Sequence, residues 1–112
     1  MDKIARYSHY ITTLLNRYAQ EPVANQEGVG YQVVYDLKSH HYLLLRLGWT
    51  EDAYIHYCTI HLDIIDEKIW LQQNNSDLLI ADELVGMGVD RNDIIMGTDP
   101  AYIRNPSDFA AA

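Results

Sequence analysis

The stretch Tyr54-Ile-His-Tyr-Cys-Thr-Ile-His-Leu-Asp-Ile-Ile65, followed after Asp66-Glu67 by Lys68-Ile-Trp-Leu-Gln-Gln73, decides the fold. Both runs are dense in aliphatic and aromatic residues with a period near two, the pattern of β-strands. A two-residue polar break between them admits only a hairpin, because a parallel return needs a crossover of a dozen residues or more. Moving toward the N-terminus, Tyr42-Leu-Leu-Leu-Arg-Leu-Gly-Trp49 and Tyr31-Gln-Val-Val-Tyr-Asp-Leu37 repeat the pattern, with polar turns over 38–41 and 50–53. The reading is therefore an antiparallel meander of at least four strands.

Outside this block the period changes. Ile4, Tyr7, Ile11, Leu14, Leu15 and Tyr18 recur at three- and four-residue steps, which predicts an amphipathic helix over 2–20. Pro22 and Asn25-Gln26-Glu27-Gly28 end it in a loop. Leu78, Ala81, Leu84 and Val85 predict a second helix over 78–85, closed by Gly86 and Gly88. Asp90-Arg91-Asn92-Asp93 reads as one turn, and the segment after Gly97, carrying Pro100 and Pro106, as extended or irregular. The fold class is α+β: one small domain over 1–112, a four-or-more-stranded antiparallel meander with two helices on one face.

Uninterrupted alternation then divides the sheet. Pairing Trp49 with Tyr54 sets His61 opposite Tyr42 and Thr59 opposite Leu44, and pairing Ile65 with Lys68 sets Asp63 opposite Trp70 and His61 opposite Gln72. On this count Leu43, Leu45, Leu47, Cys58, Ile60, Leu62, Ile64, Ile69 and Leu71 form the core face. Tyr42, Arg46, Tyr57, Thr59, His61, Asp63, Trp70 and Gln72 form the other. Tyr, Trp and Arg are the side chains most enriched at interface hot spots. The expected interaction face is accordingly Tyr42, Arg46, Tyr57, His61, Asp63, Trp70 and Gln72. The register of the first strand stays open.

Charge narrows the partners. The 112-residue chain holds 16 Asp and Glu against 8 Lys and Arg, a formal charge of −8, and its basic residues are scattered. Nucleic acid and anionic membrane want clustered cations, so direct nucleic-acid binding is disfavoured and a basic protein partner favoured. No apolar run approaches the ~20 residues of a membrane helix. Met1-Asp2-Lys3-Ile4-Ala5-Arg6 lacks the apolar core of an export signal, and Cys58 is the single cysteine. A cytoplasmic protein is expected.

Two constellations invite chemistry. His56-x-Cys58-x-x-His61 has metal-like spacing, but strict alternation turns His61 away from the other two, so no metal or cofactor is expected there. His61 and Asp63 share a face and could hold a general base, yet no nucleophile or phosphate loop accompanies them. No catalytic residue is assigned.

The segment from His61 onward carries His61, Asp63, Ile64, Asp66, Lys68, Ile69, Trp70 and Gln72, then Ile80, Ala81, Glu83, Leu84 and Val85. Gly88, Val89, Asp93, Ile94, Ile95, Pro100, Arg104, Asp108, Phe109 and Ala110 follow in order. With Asp36 and His41-Tyr42-x-Leu44-Leu45 to Gly48-Trp49, the pattern resembles the XisI family, bacterial and mainly cyanobacterial "fdxN element excision controlling factor" proteins. Glu67 stands where the family carries a turn glycine, Thr98-Asp99 where it carries Phe-His, and Pro106-Ser107 where it carries Tyr-Thr.

The resemblance implies a small α/β domain with one antiparallel sheet, and a role rather than a reaction. That role is non-catalytic control of site-specific recombination, the excision of a DNA element, beside XisH, a partner with a nuclease-like fold. Three alternatives accompany it: an antitoxin-like inhibitor of that partner, a directionality factor binding DNA directly, and a small-molecule or enzymatic domain using His61 and Asp63. A homodimer is a further expectation, from the partly apolar sheet face.

Overall fold

The computed structural model describes residues 2–23 and 26–100. Helix α1 (Lys3–Ala19) leads into strands β1 (Val29–Asp36), β2 (His41–Trp49), β3 (Tyr54–Ile65) and β4 (Lys68–Asn74). Helix α2 (Ile80–Met87), a 3-10 turn (Arg91–Asp93) and strand β5 (Ile94–Met96) follow. The sheet order is β1-β2-β3-β4-β5. The first four strands are antiparallel neighbours, as expected, whereas β5 runs parallel to β4, with Ile69 opposite Ile94 and Leu71 opposite Met96. The sheet is mixed, not strictly a meander. α2 supplies the crossover that the parallel return requires. The expected irregular tail lies outside the described residues from 101 onward.

Each element ends where local chemistry ends it. The Asp2 carboxylate caps α1 by accepting from the Ala5 N–H at 2.7 Å. Gly88, at φ +124, closes α2. Asp90 accepts from the Asn92 N–H and starts the 3-10 turn. Asp93 then ties that turn to α1, accepting from Lys3 Nζ at 2.8 Å and from the Tyr7 hydroxyl at 2.5 Å. Burial works to raise the Asp93 carboxyl pKa, but the contacts with Lys3 and Tyr7 outweigh it and hold the group below its ordinary value.

The β3–β4 hairpin turns on Asp66 and Glu67, both at positive φ (52° and 64°), the pattern of a type I′ turn. This conformation suits Asn-Gly or Asp-Gly and strains a glutamate. Glu67→Gly is therefore expected to raise unfolding stability by about 1 kcal/mol, read as a higher urea midpoint at unchanged slope. An unchanged or lower midpoint would show that the turn holds Glu67 without strain.

The core sits between the helices and one sheet face. Tyr7, Ile11, Leu14 and Leu15 of α1 and Ile80, Ala81 and Leu84 of α2 pack on Tyr42, Leu44, Ile60, Leu62, Ile64, Ile69, Leu71 and Ile94. The expectation for β3 and β4 holds from Ile60 onward. For β2 it inverts: Tyr42 and Leu44 are fully buried, while Leu43, Leu45 and Leu47 lie on the opposite face.

The cause is a pair of irregularities. Leu45 pairs with Cys58 but Leu44 pairs with Ile60, so Thr59 is an extra residue, a bulge that shifts the phase of β3. Likewise Leu62 pairs with Leu71 but His61 with Gln73, leaving Gln72 as the extra residue of β4. The expected pairs His61–Tyr42, Thr59–Leu44 and His61–Gln72 are thus replaced, while Trp49–Tyr54, Asp63–Trp70 and Ile65–Lys68 stand. The first strand is resolved as well. Tyr31, Val33 and Tyr35 face the helices, Tyr31 edge-on to Tyr18 and Tyr35 stacked on Tyr42.

Candidate functional site

Directly paired residues share a face, so the ladder defines what the helix-free side presents. One row runs Asp36, His41, Asp63, Trp70 and Ile95, and the next runs Val34, Leu43, His61 and Gln73. Beyond the β3 bulge come Gln32, Leu45 and Cys58, then Gly30, Leu47 and His56, and at the end Trp49 with Tyr54. Val34, Trp49, Tyr54 and Ile65 are large apolar side chains exposed on this face. The surface is thus more aliphatic than alternation anticipates, with one polar cluster at its centre.

That cluster is built around Asp63, whose side chain is 9% exposed. His41 Nδ1 approaches its Oδ1 at 2.8 Å and His61 Nε2 approaches the same oxygen at 2.9 Å. Gln72 Nε2 donates to Oδ2 at 3.2 Å. Burial pushes the Asp63 carboxyl pKa upward, but the hydrogen bonds from His41 and His61, aided by Gln72, more than reverse this and leave it below the usual carboxylate range. Asp63 is therefore an ionised acceptor at neutral pH, held in one orientation by three side chains. Both bulges serve this arrangement. The one at Thr59 puts His61 and Asp63 on the face opposite the helices, and the one at Gln72 lets that side chain reach Oδ2.

The seven residues expected at an interaction face separate into three places. His61, Asp63, Trp70 and Gln72 lie on the helix-free side. Arg46 and Tyr57 lie on the helix side, in the row of Tyr31, where the guanidinium stands 6.0 Å from the Tyr57 ring centroid and Nη2 donates to Gln26 Oε1 at 2.5 Å. Tyr42 is core. Its hydroxyl donates to Ser8 Oγ at 2.8 Å and lies 2.9 Å from His40 Nδ1.

His41 is the member that sequence reasoning missed. It falls in the expected turn, and an unbulged count sets it opposite Leu62 rather than Asp63. The argument against the His56, Cys58 and His61 spacing also changes, because the Thr59 bulge returns His61 to the face of the other two. Yet the donors that converge among the described residues are those of His41, His61 and Asp63, all within 4.8 Å of one another. Two clefts among the described residues lie elsewhere. One of about 720 Å³ sits between the start of α1 and the β1–β2 hairpin, beside His40 and Glu67. Another of about 860 Å³ sits at Gln26–Gly28 and Trp49–Asp52. Neither is lined by His61 or Asp63.

The sheet with its two helices coincides with solved structures of known relatives. A family model described as XisI protein matches residues 1–111. The chain belongs to the XisI family. A XisI-like protein from Anabaena variabilis ATCC 29413 superposes with a TM-score of 0.87 at 40% identity, over 97% of this chain and 99% of that one. The structure of fdxN element excision controlling factor XisI from the same organism superposes at 0.82 with 29% identity, over 99% and 100% of the two chains. The chain matches no curated protein. No helix among the described residues is long and apolar enough to cross a membrane. The XisI fold is thus a mixed five-stranded sheet with both helices on one side, leaving the Asp63 cluster on the other.

Proposed function

We propose that the chain is a non-catalytic accessory factor controlling excision of a DNA element, and that it acts by binding an XisH-like protein of nuclease-like fold through its helix-free sheet face. One observation carries the reading: a face holding Leu43, Leu45 and Leu47, with Val34, Trp49 and Tyr54 exposed around them. An apolar sheet face of this extent is what a protein interface covers, since monomers seldom present large contiguous apolar patches to water. The charge of −8 gives the sign of the partner. A nuclease-like protein presents a basic DNA-binding surface, and complementary charge speeds encounter and selects the partner. Family membership supplies the excision-controlling role named for the solved relative.

The test is co-expression with an XisH-like protein followed by size-exclusion chromatography and titration. A stable complex is expected at micromolar concentration, with Val34→Glu and Leu45→Glu each weakening it about 30-fold or more, the effect of a lost hot spot. Tyr57→Ala, on the helix side, is expected to leave it within about threefold. Failure to co-elute overturns the partner. Loss of binding only with Tyr57→Ala overturns the face.

A further inference from the structure

The cluster of His41, His61 and Asp63 has the composition and placement of a metal centre, independent of any partner on the sheet. We infer that this chain binds one divalent late first-row transition ion, of the zinc class, through His41 Nδ1, His61 Nε2 and Asp63 Oδ1, with open coordination positions directed outward from the sheet. Three donors on two adjacent strands converge within 4.8 Å. The two nitrogen-to-oxygen separations, 2.8 and 2.9 Å, are close to the ~3.0 Å edge of an octahedral shell with bonds of about 2.1 Å and fall short of the ~3.4 Å edge of a tetrahedral one, so a tetrahedral ion requires the imidazoles to move outward by about half an ångström. Two imidazoles and one carboxylate on a single side are the donor set of sites that keep positions open for another ligand. They suit zinc, nickel, cobalt or iron, and not magnesium or calcium, which prefer all-oxygen shells.

The surroundings support the assignment. Gln72 Nε2 holds Oδ2 at 3.2 Å, which fixes the carboxylate so that Oδ1 faces the imidazoles, the orienting contact that metal-bound carboxylates characteristically have. The Asp63 side chain is more than nine-tenths buried, whereas that of His41 is 57% exposed. The acid is thus preorganised on a rigid strand, and the His41 ring is free to rotate the short distance that closes the nitrogens around an ion. Binding exchanges two N–H···O hydrogen bonds for three metal bonds. In the metal-bound form each imidazole offers the ring nitrogen that now faces Asp63 and carries its proton on the remote ring nitrogen.

The experiment uses the untagged full chain, freed of metal by chelation, titrated with Zn2+ by calorimetry and with Co2+ by visible absorption. Saturable binding at one ion per chain is expected, with Co2+ ligand-field bands and no competition from Mg2+ in about 1,000-fold excess. His41→Ala and His61→Ala should each weaken binding about 100-fold or more, and Gln72→Ala about tenfold. His56→Ala and His9→Ala should leave it unchanged. His41 is exposed, so its variant stays folded, and circular dichroism checks each protein. Absence of saturable binding below about 100 μM, or binding that survives loss of His41 and His61 together, overturns the site.

Discussion

Tyr42→Ala is expected to lower unfolding stability by about 3–5 kcal/mol, the range for removing a large aromatic from a packed core. Tyr42 is fully buried between α1 and the sheet, stacked on Tyr35 and bonded to Ser8. The substitution loses the ring's contacts, opens a cavity, and strands the Ser8 hydroxyl that Tyr42 satisfied. Tyr42→Phe keeps the packing and is expected to cost only about 1 kcal/mol. Urea titrations followed by circular dichroism separate the two. Were Tyr42 on the open face, as unbroken alternation has it, the alanine would cost under about 1 kcal/mol. The size of this effect therefore tests the bulge at Thr59 directly.

Gly48→Ala is expected to cost about 3 kcal/mol or more, or to prevent folding. Gly48 sits at φ +137, where L side chains are strained, and a Cβ built there would stand 2.0 Å from the Gly28 carbonyl oxygen and 2.9 Å from Val29 Cα. Both neighbours are backbone and cannot swing aside. The converse approach is equally close: a Cβ at Gly28 would lie 2.3 Å from the Trp49 carbonyl oxygen. Strand β1 can close on β2 here, with Trp49 N–H donating to Gly28 O at 3.1 Å, because both positions lack a side chain. Hydrogen exchange gives a local readout, the amides of Val29 and Trp49 losing protection before those of β3 and β4. A loss under about 1 kcal/mol would show that the β1–β2 end adjusts without strain.

The elements themselves were legible because each rests on a local signal. α1 is written in the spacing of Tyr7, Ile11, Leu14 and Leu15. The hairpins are written in the short breaks at 50–53 and at Asp66-Glu67. The pair Asp63 and Trp70 follows from counting back from that turn, because no bulge lies between. The two helices on one face follow from their apolar stripes. The parallel strand β5 was not legible, since three residues, Ile94–Met96, carry no direction of their own and take it from the crossover through α2.

The phase of β2 was hidden for a different reason. Tyr42 and Leu44 are apolar on one face and Leu43, Leu45 and Leu47 on the other, so periodicity alone does not choose between them. A β-bulge inserts one residue without altering composition, and Thr59 looks like any other threonine in a strand. The same blindness affected the polar cluster. His61 and Asp63, two apart on one strand with no bulge between, were grouped correctly, and Gln72 was placed near them. His41 was lost because its partner is set by the bulge at Thr59, far along the chain and beyond any local count.

The sequence by itself determined an acidic α+β domain, its helices, its hairpins and its XisI-family pattern, because propensity, turn length and charge act over a few residues. Only the tertiary structure decided which side of β2 became core. Burial of Tyr42 against Ser8 of α1 is a contact between distant segments, and the bulges at Thr59 and Gln72 reconcile that packing with β3 and β4. That choice turned the leucines outward and brought His41 to Asp63.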